Sequence, residues 1–361
     1  MKKRIAVVFG GCSSEYAVSL QSAFSALSNL DPSRYDIVPI GITQQGDWFW
    51  YHGPYENIGT DAWRDNEYDL TSCVISPSQT THGLVIFSST ATRTLRLDAV
   101  FPIMHGKQGE DGTIQGLCEL AGIPVIGCDA LSSALCMDKD KAHKLVADAG
   151  VEVPRSYTIS KQPYLEIQAA TLAREVGYPL FVKPVKAGSS LGVSRVESRS
   201  ELMEAIDNAF EHDDAVLLEE AISGFEIGCA VVGTDALMTG ELDEVELSGG
   251  FFNYVEKYSL ETSEIHVPAR ITAAQSEAAK ETAKTIYRAL GCKHFARVDM
   301  FLTSEGRIIF NEVNTIPGFT EHSRFPNMMK AVGFDFEDLL SYLIDCVLHE
   351  EASVQSAVLS A

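Results

Sequence analysis

The sequence lacks the patterns that indicate a zinc site, a membrane span or a nucleic-acid-binding surface. Its eight cysteines include no C-x-x-C pair, so a zinc site is not indicated. No apolar run approaches the roughly 18 residues that a transmembrane helix requires. Positive charge is scarce, with 28 Lys and Arg against 50 Asp and Glu and a net charge of −22. We therefore expect neither a nucleic acid nor a membrane as the main partner.

The N-terminus and the cysteines indicate a cytoplasmic protein. The apolar run Ile5–Phe9 is too short for a signal peptide and ends at Gly10 and Gly11, so we interpret it as a first buried strand. Most of the cysteines lie in apolar segments, where cysteine acts as a small hydrophobic residue. That pattern is typical of a reducing compartment.

Alternating elements predict an α/β fold with several regions. The 361 residues suffice for two or three domains. Strands predicted at Ile5–Phe9, Tyr35–Ile42, Ala99–Met104 and Pro124–Ile126 alternate with helices at Glu15–Asn29 and Gly112–Ala121, and this rhythm predicts a parallel sheet. Residues 46–97 suggest irregular strands and loops. We expect an N-terminal α/β domain (1–131), a central domain (132–223), a C-terminal domain (224–348) that ends in a helix, and a frayed tail (349–361).

A predicted hairpin carries a candidate metal site. The strand around Asp299 is followed by a turn at Ser304–Gly306 and by a strand containing Glu312 and Asn314. Residues two apart on a strand share a face. Two carboxylates and an amide oxygen suit Mg²⁺, which binds few protein ligands together with phosphate oxygens. The alternative is an acidic, solvated sheet face.

Two further segments are candidate nucleotide contacts. Lys183–Gly192 predicts a strand followed by a Gly- and Ser-rich loop, whose backbone N–H groups can approach phosphates closely. It is not a Walker A loop, and the alternative is a simple turn. Ala215–Glu220 is an apolar strand that ends in acids, for which an exposed strand end is the alternative.

Several motifs in the same order resemble the D-alanine–D-alanine ligase family of ATP-grasp enzymes. They are Phe9-Gly-Gly-Cys-Ser-Ser-Glu15, His105-Gly-Lys-Gln-Gly-Glu-Asp111-Gly-Thr-Ile-Gln-Gly116, Met137-Asp-Lys139, Lys183-Pro-Val-Lys-Ala-Gly-Ser189-Ser-Leu-Gly192, Arg297-Val-Asp299 and Asn311-Glu-Val-Asn314-Thr-Ile-Pro-Gly318. The resemblance runs from about Lys3 to about Leu348, and within the family it is closest to the VanG-type D-alanine–D-serine ligases. It implies an ATP-grasp fold with an N-terminal βαβ parallel-sheet domain, a central α+β domain and a C-terminal α+β domain.

The resemblance also assigns residues to ATP and to metal. It implies two Mg²⁺ ions, for which Mn²⁺ can substitute, on Asp299, Glu312 and Asn314. The residues that it implies for ATP are Lys139, Lys183, Ser190, Glu219, Glu220, Ala221, Ile222, Glu226 and Lys257.

A third set is implied for the amino-acid substrates. The implied catalytic residues are Glu15, Ser189, Tyr258, Arg297 and Gly318, and the implied substrate-binding residues are His105, Asp243, Phe252, Ser323 and Arg324. Tyr258 belongs to a loop, Gly249 to Ser263, that is expected to cover the site as a lid. Judged by the residues alone, Glu15 could be a helix-start acid, His105 a structural histidine and Asp243 a surface acid.

The function implied is ATP-dependent joining of D-alanine to D-serine through a D-alanyl phosphate. Such an enzyme would change the end of a peptidoglycan precursor, a change linked to vancomycin resistance. Tyr258 matches the relatives that use an amine as second substrate, and Arg324, Asp243 and Phe252 match the D-serine pattern. The alternatives are a housekeeping D-alanine–D-alanine ligase, which would use a second D-alanine, and a non-catalytic nucleotide-binding homologue. We further expect a homodimer.

Overall fold

The computed structural model describes residues 2–88, 91–247 and 263–359. Its helices are α1 (Tyr16–Asn29), α2 (Glu56–Gly59), α3 (Thr113–Ala121), α4 (Ala130–Met137), α5 (Lys139–Asp148), α6 (Leu165–Val176), α7 (Leu202–Ala209), α8 (Ala273–Ala289), α9 (Arg324–Lys330) and α10 (Phe336–Leu359). The predicted lid Gly249–Ser263, with Phe252, Lys257 and Tyr258, lies outside the described residues, apart from the backbone of Ser263.

The N-terminal region is built on a seven-stranded sheet in the order β6-β5-β4-β3-β2-β1-β7. Its strands are β1 (Lys3–Gly10), β2 (Tyr35–Ile42), β3 (Trp48–Tyr51), β4 (Leu70–Ile75), β5 (Gly83–Phe87), β6 (Thr92–Arg96) and β7 (Ala99–Ile103). β1 pairs in parallel with both β2 and β7. The predicted βαβ arrangement is thus present around β1, and β1 and β7 consist mostly of buried apolar residues.

The other half of this sheet differs from the prediction. Residues 46–97, expected to be irregular, form the antiparallel strands β3 to β6. Their mixed polar sequence reflects a sheet edge that faces solvent, and β6 has four exposed residues out of five. The predicted strand at Pro124–Ile126 is reduced to a single bridge between Val100 and Val125.

The central region contains a four-stranded antiparallel sheet in the order β10-β9-β11-β8. Its strands are β8 (Ser156–Ser160), β9 (Leu180–Pro184), β10 (Ser194–Val196) and β11 (Ala215–Glu220). Apolar residues of α6 and α7 pack on one face of this sheet and form a separate core with it. The predicted Gly- and Ser-rich segment is the connection between β9 and β10.

The C-terminal region contains a five-stranded antiparallel sheet in the order β14-β13-β12-β15-β16. Its strands are β12 (Phe225–Val232), β13 (Met238–Leu247), β14 (Ser263–His266), β15 (Phe295–Leu302) and β16 (Ile308–Asn314). β15 and β16 form the predicted hairpin. Helix α8 begins at a capping box between Thr272 and Gln275, which satisfies backbone N–H groups that a helix start would otherwise leave unpaired.

One hydrophobic core joins the N-terminal and C-terminal regions. Phe319, which is buried, packs against Phe101 of β7, Phe295 of β15 and Phe325 of α9, with ring centroids 5.5 to 5.8 Å apart. Aromatic pairs at such distances are favourable beyond the area they bury. The segment that leaves β16 is therefore held between the two regions.

The last helix is longer than the sequence predicted. Helix α10 was expected to end at Leu348 and continues to Leu359, so the backbone of most of the predicted tail is helical. Within the described ranges, no helix combines the length and apolarity needed to span a membrane. All eight cysteines are unpaired thiols.

Candidate active site

Two adjoining cavities lie where the three regions meet. The larger has a volume of about 800 Å³ and is lined by residues of α1, the loop after β7 and the segment that follows β16. The smaller has a volume of about 440 Å³ and lies between the central and C-terminal sheets. Lys139, Ala187 and Glu312 line both, so a ligand that spans the junction would pass these three residues.

Most of the predicted residues line one of the cavities. The larger is lined by Glu15, His105, Lys139, Ser189, Arg297, Glu312, Asn314, Gly318, Ser323 and Arg324. The smaller is lined by Lys139, Lys183, Ser190, Glu219, Glu220, Ile222, Glu226 and Glu312. Ala221 lies between lining residues of the smaller cavity, whereas Asp299 and Asp243 lie behind the cavity walls.

Glu15 and Ser189 meet across the larger cavity. Glu15 is the residue before helix α1, and its side chain is buried. The Ser189 hydroxyl donates to its Oε1. Ser189 and Ser190 both have left-handed backbone conformations, with φ of 52° and 56°. Such conformations are costly for residues other than glycine and are concentrated at functional sites.

The smaller cavity contains a buried charge cluster. Glu219 of β11 is buried, and its carboxylate accepts from the Lys183 ammonium of β9. Its other oxygen lies 3.7 Å from His143 Nε2 on α5. Burial lowers the pKa of His143, although Glu219 opposes that effect. The Glu219 side chain is thus engaged within the protein, and Glu220 and Ile222, which follow it, line the cavity.

The hairpin holds Asp299 in a dense network. Arg297 binds the Asp299 carboxylate with two nitrogens, at 2.8 Å and 2.7 Å, and Asn314 Nδ2 donates to the same carboxylate at 2.9 Å. Asp299 faces Glu312 across the hairpin, and Arg297 faces Asn314. Glu312 lines both cavities, Asn314 lines the larger one, and Asp299 lies directly behind them; two carboxylates and an amide oxygen are a hard donor set of the kind that fits Mg²⁺.

Arg324 is a buried cation in the wall of the larger cavity. Its Nε and Nη2 bind the two carboxylate oxygens of Asp243 at 2.6 and 2.8 Å, and its Nη1 binds Glu226 at 2.7 Å. Asp243 is fully buried, so the alternative of a surface acid is wrong. Asp243 also accepts from the Gly228 N–H, which leaves Arg324 to face the cavity.

His105 orders the segment that follows β16. Its Nδ1 donates to the Ile316 carbonyl at 2.9 Å, and its Nε2 lies 2.9 Å from the Ser22 hydroxyl. The same hydroxyl accepts from the Phe319 N–H at 3.2 Å. In a neutral imidazole, Nε2 would accept from the Ser22 hydroxyl, and burial lowers the pKa of His105, which favours the neutral ring.

Glu110 is a cavity residue that the sequence analysis did not single out. It lies in the quoted motif after His105, lines the larger cavity, and accepts from the N–H groups of Gly106 at 2.7 Å and Ile316 at 3.3 Å. Burial, and then the charge of Glu15, raise the pKa of Glu110 to about 8. The only signal in the sequence is an acid inside a Gly-rich motif.

Known protein families match nearly the whole chain. The family model described as the N-terminus of D-Ala D-Ala ligase matches residues 4–128, and the model of the C-terminus matches residues 145–345.

Individual relatives cover almost all of the chain. The vancomycin B-type resistance protein VanB of Enterococcus faecalis is 45% identical over 349 residues, which are 95% of this chain and 98% of that protein. D-alanine–D-alanine ligase A of Escherichia coli is 39% identical over 355 residues, covering 98% and 97%. The solved structure of the VanG D-Ala:D-Ser ligase from Enterococcus faecalis has a TM-score of 0.89 and 52% identity, covering 96% of this chain and all of that one.

The raised pKa of Glu110 predicts how stability depends on pH. The unfolded chain releases this proton near the ordinary value of 4.5, whereas the folded protein keeps it until about pH 8. The folded state therefore binds more protons between these values, and stability falls as pH rises through them. We expect Glu110→Gln to flatten this fall, measured as the free energy of unfolding in urea between pH 5 and pH 8. The exposed Glu277→Gln on α8, which removes the same charge, should leave the slope unchanged, and equal slopes in all three proteins would contradict the assignment.

Proposed function

The chain belongs to the D-alanine–D-alanine ligase family of ATP-dependent, ADP-forming ligases, and we propose that it joins D-alanine to D-serine through a D-alanyl phosphate. The main support for D-serine as the second substrate is the position of Arg324, a buried cation in the wall of the larger cavity beside Ser323. The similarity to a D-Ala:D-Ser ligase at 52% identity supports it.

The two cavities divide the substrates between them. ATP occupies the smaller cavity, with its adenine at the backbone of residues 220–222 and its ribose near Glu226. Its phosphates extend past Lys183 and Lys139 toward Glu312, which lines both cavities. Lys257, outside the described residues, is a further proposed contact of the phosphates. The D-amino acids occupy the larger cavity.

The first step activates D-alanine. Its ammonium binds the Glu15 carboxylate, which Ser189 helps to position, and His105 lies close by. A carboxylate oxygen of D-alanine then attacks the γ-phosphorus of ATP. The bond between that phosphorus and the β,γ-bridging oxygen breaks, and ADP leaves. Two Mg²⁺ ions bound by Asp299, Glu312 and Asn314, or Mn²⁺ in their place, would neutralise phosphate charge.

The second step forms the peptide bond. The amine of the second D-amino acid attacks the acyl carbon, which produces a tetrahedral oxyanion. Arg297 and the Gly318 N–H stabilise that oxyanion, since donors placed where charge develops lower the barrier. Inorganic phosphate leaves, and the attacking nitrogen loses a proton. Tyr258 and Phe252, on the predicted lid, would help to exclude water from the acyl phosphate.

Selection of D-serine requires a polar group at a fixed position. D-serine and D-alanine differ by one hydroxyl, which an apolar pocket distinguishes only weakly. The sequence suggested that Asp243 contacts this hydroxyl, but Asp243 is buried behind the wall with both oxygens bound. We therefore assign the contact to Arg324, and Asp243 positions it. Ser323 is proposed to bind the carboxylate of the second substrate.

The principal alternative is a housekeeping D-alanine–D-alanine ligase. Relatives of that kind are also similar along the whole chain, so the second substrate has to be measured. A non-catalytic homologue is not favoured, because the side chains predicted to bind nucleotide and metal are present at the cavities. A homodimer and a cytoplasmic location stay predictions.

The product formed from mixed substrates tests the proposal. With ATP, Mg²⁺, D-alanine and D-serine at equal concentrations, we expect the mixed dipeptide to exceed the D-alanine dipeptide by roughly 10-fold or more, because an unmet hydrogen bond penalises D-alanine as second substrate. Chromatography of the dipeptides and assay of ADP measure the result. Equal yields of the two dipeptides would identify a housekeeping ligase.

Gly228 provides a probe of the Arg324 contact. A Cβ at Gly228 would lie 2.6 Å from Arg324 Nη2 and 2.6 Å from Asp243 Oδ1, so Gly228→Ala should displace the guanidinium. We expect the preference for D-serine to fall by roughly 10-fold, the equivalent of one hydrogen bond, while D-alanine dipeptide synthesis persists. The ratio of kcat/KM values for the two second substrates measures the effect. Gly116→Ala, whose Cβ would meet only Ala130 Cβ at 4.0 Å, is the control, and an unchanged ratio in Gly228→Ala would remove Arg324 from selection.

Glu312 tests the metal assignment. Glu312→Gln removes a carboxylate at the junction of the cavities, and we expect kcat to fall by roughly 100-fold or more, with a higher Mg²⁺ concentration needed for half-maximal rate. Steady-state kinetics across a Mg²⁺ titration measures both. The matched control is Glu305→Gln, an exposed acid in the turn of the same hairpin. A variant Glu312→Gln with near-native kcat would show that Glu312 is not a metal ligand.

A further inference from the structure

Three side chains of the N-terminal region, the buried Ser22 and His105 and the partly buried Glu110, bind the backbone on both sides of Gly318. Glu110 accepts from the Ile316 N–H, His105 donates to the Ile316 carbonyl, and Ser22 accepts from the Phe319 N–H. All three line the larger cavity. Residues 315–323, by contrast, belong to no helix or strand, so regular secondary structure does not determine their conformation.

Contacts within this segment lie on its C-terminal side. The Thr320 N–H donates to the Ser323 hydroxyl at 3.1 Å, and the Ser323 N–H donates to the Thr320 carbonyl at 3.0 Å. The Phe319 ring is fixed by the aromatic core. On the N-terminal side of Gly318, the bonds to Ile316 come from Glu110 and His105, which belong to the other region.

Glu110 is tied to the N-terminal region by its second oxygen. Oε2 accepts from the Gly106 N–H at 2.7 Å, and the Glu110 N–H donates to the Gly106 carbonyl at 2.8 Å. A Cβ at Gly106 would lie 2.2 Å from Glu15 Oε2, so this turn also supports the predicted ammonium ligand. One carboxylate thus connects the turn beneath Glu15 to the segment that carries Gly318.

We infer that Glu110 is a positioning residue for catalysis, which holds the Gly318 N–H at the place where the oxyanion of the second step develops. The carboxyl group of Glu110 offers one oxygen to each of two backbone N–H groups, whereas alanine has no acceptor and glutamine has only one acceptor oxygen, so neither reproduces both contacts. Misplacement of an oxyanion donor by about 1 Å is enough to cost roughly 100-fold in rate. The inference rests on the proposed oxyanion role of Gly318, and it does not depend on which second substrate the enzyme prefers.

The experiment compares Glu110→Ala, Glu110→Gln and Gln115→Ala, each with the second substrate that the native enzyme uses best. Gln115 is a matched control, since its buried amide donates to the Gly109 carbonyl at 2.7 Å; it supports the same turn and does not reach Ile316. Folding of each variant is checked by urea unfolding.

Two measured rates distinguish a positioning role of Glu110 from a general loss of structure. Exchange of ¹⁸O between the bridging and non-bridging positions of ATP reports reversible formation of the acyl phosphate, and dipeptide release reports the complete reaction. For Glu110→Ala we expect dipeptide formation to fall by roughly 10- to 100-fold, with isotope exchange and the KM for the first D-alanine within about 3-fold of native. Glu110→Gln keeps one acceptor oxygen, so its rate of dipeptide formation should lie between those of the native enzyme and Glu110→Ala.

Distinct outcomes would overturn the inference. A dipeptide rate within about 3-fold of native in Glu110→Ala would show that Gly318 needs no such anchor. An equal fall of isotope exchange and dipeptide formation, or a comparable fall in Gln115→Ala, would assign Glu110 to the support of the turn alone. Failure of the proposed function has a different signature, because the native enzyme itself would then form no dipeptide. If Glu110→Ala does not fold, the same comparison is made with Glu110→Gln.

Discussion

The placement of Arg324 over a row of acids in the C-terminal sheet is the interaction on which the site depends. Asp243, Gly228, Asp299 and Glu312 are neighbours across four adjacent strands. Arg324 binds Asp243, lies 3.4 Å from Asp299, and fills the space that a side chain at Gly228 would occupy. Buried charges are tolerated only when they are paired, and removal of one partner from such a set costs about 3–5 kcal/mol. Moving the guanidinium away from these acids therefore carries a large free-energy cost, and the geometry of this end of the cavity follows from that constraint.

The same row connects the proposed nucleotide site with the proposed amino-acid site. Glu226, proposed at the ribose, and Asp243 share Arg324, while Asp299 is bound by both Arg297 and Asn314. Charge brought to one end of the row changes the electrostatic balance at the other, because these groups are desolvated and poorly screened. The net charge of −22 repels phosphates from most of the surface, so the proposed ATP site depends on its few buried cations for a local positive field.

The sequence allowed prediction of the parts of the site that follow from local periodicity. Glu312 and Asn314 are two apart on a strand, and a turn returns the chain to Asp299, so their proximity could be inferred without a fold. Contacts between segments that are distant in the sequence could not be inferred in this way. A surface acid stayed an alternative for Asp243 because its segment alternates acids with apolar residues, and only the family resemblance connected it with Arg324, 81 positions later. The regular antiparallel arrangement of β3 to β6, where irregular strands and loops were expected, was not predicted because these strands lie toward the solvent-facing edge, where polar residues weaken the alternation that identifies a strand.

Glu110 illustrates why a catalytic motif read along the chain leaves out part of the site. Its neighbours in sequence are a turn, and its function depends on Ile316, 206 positions away, which only packing of the N-terminal region on the C-terminal sheet brings within reach. That packing is driven by the phenylalanine cluster around Phe319, whose burial is non-directional and cannot by itself place a backbone N–H to a fraction of an ångström. Hydrogen bonds are directional, so they can fix the position of a backbone N–H that closely. The hydrophobic core thus brings the two regions together, and the polar contacts of Ser22, His105 and Glu110 determine where the segment between them lies.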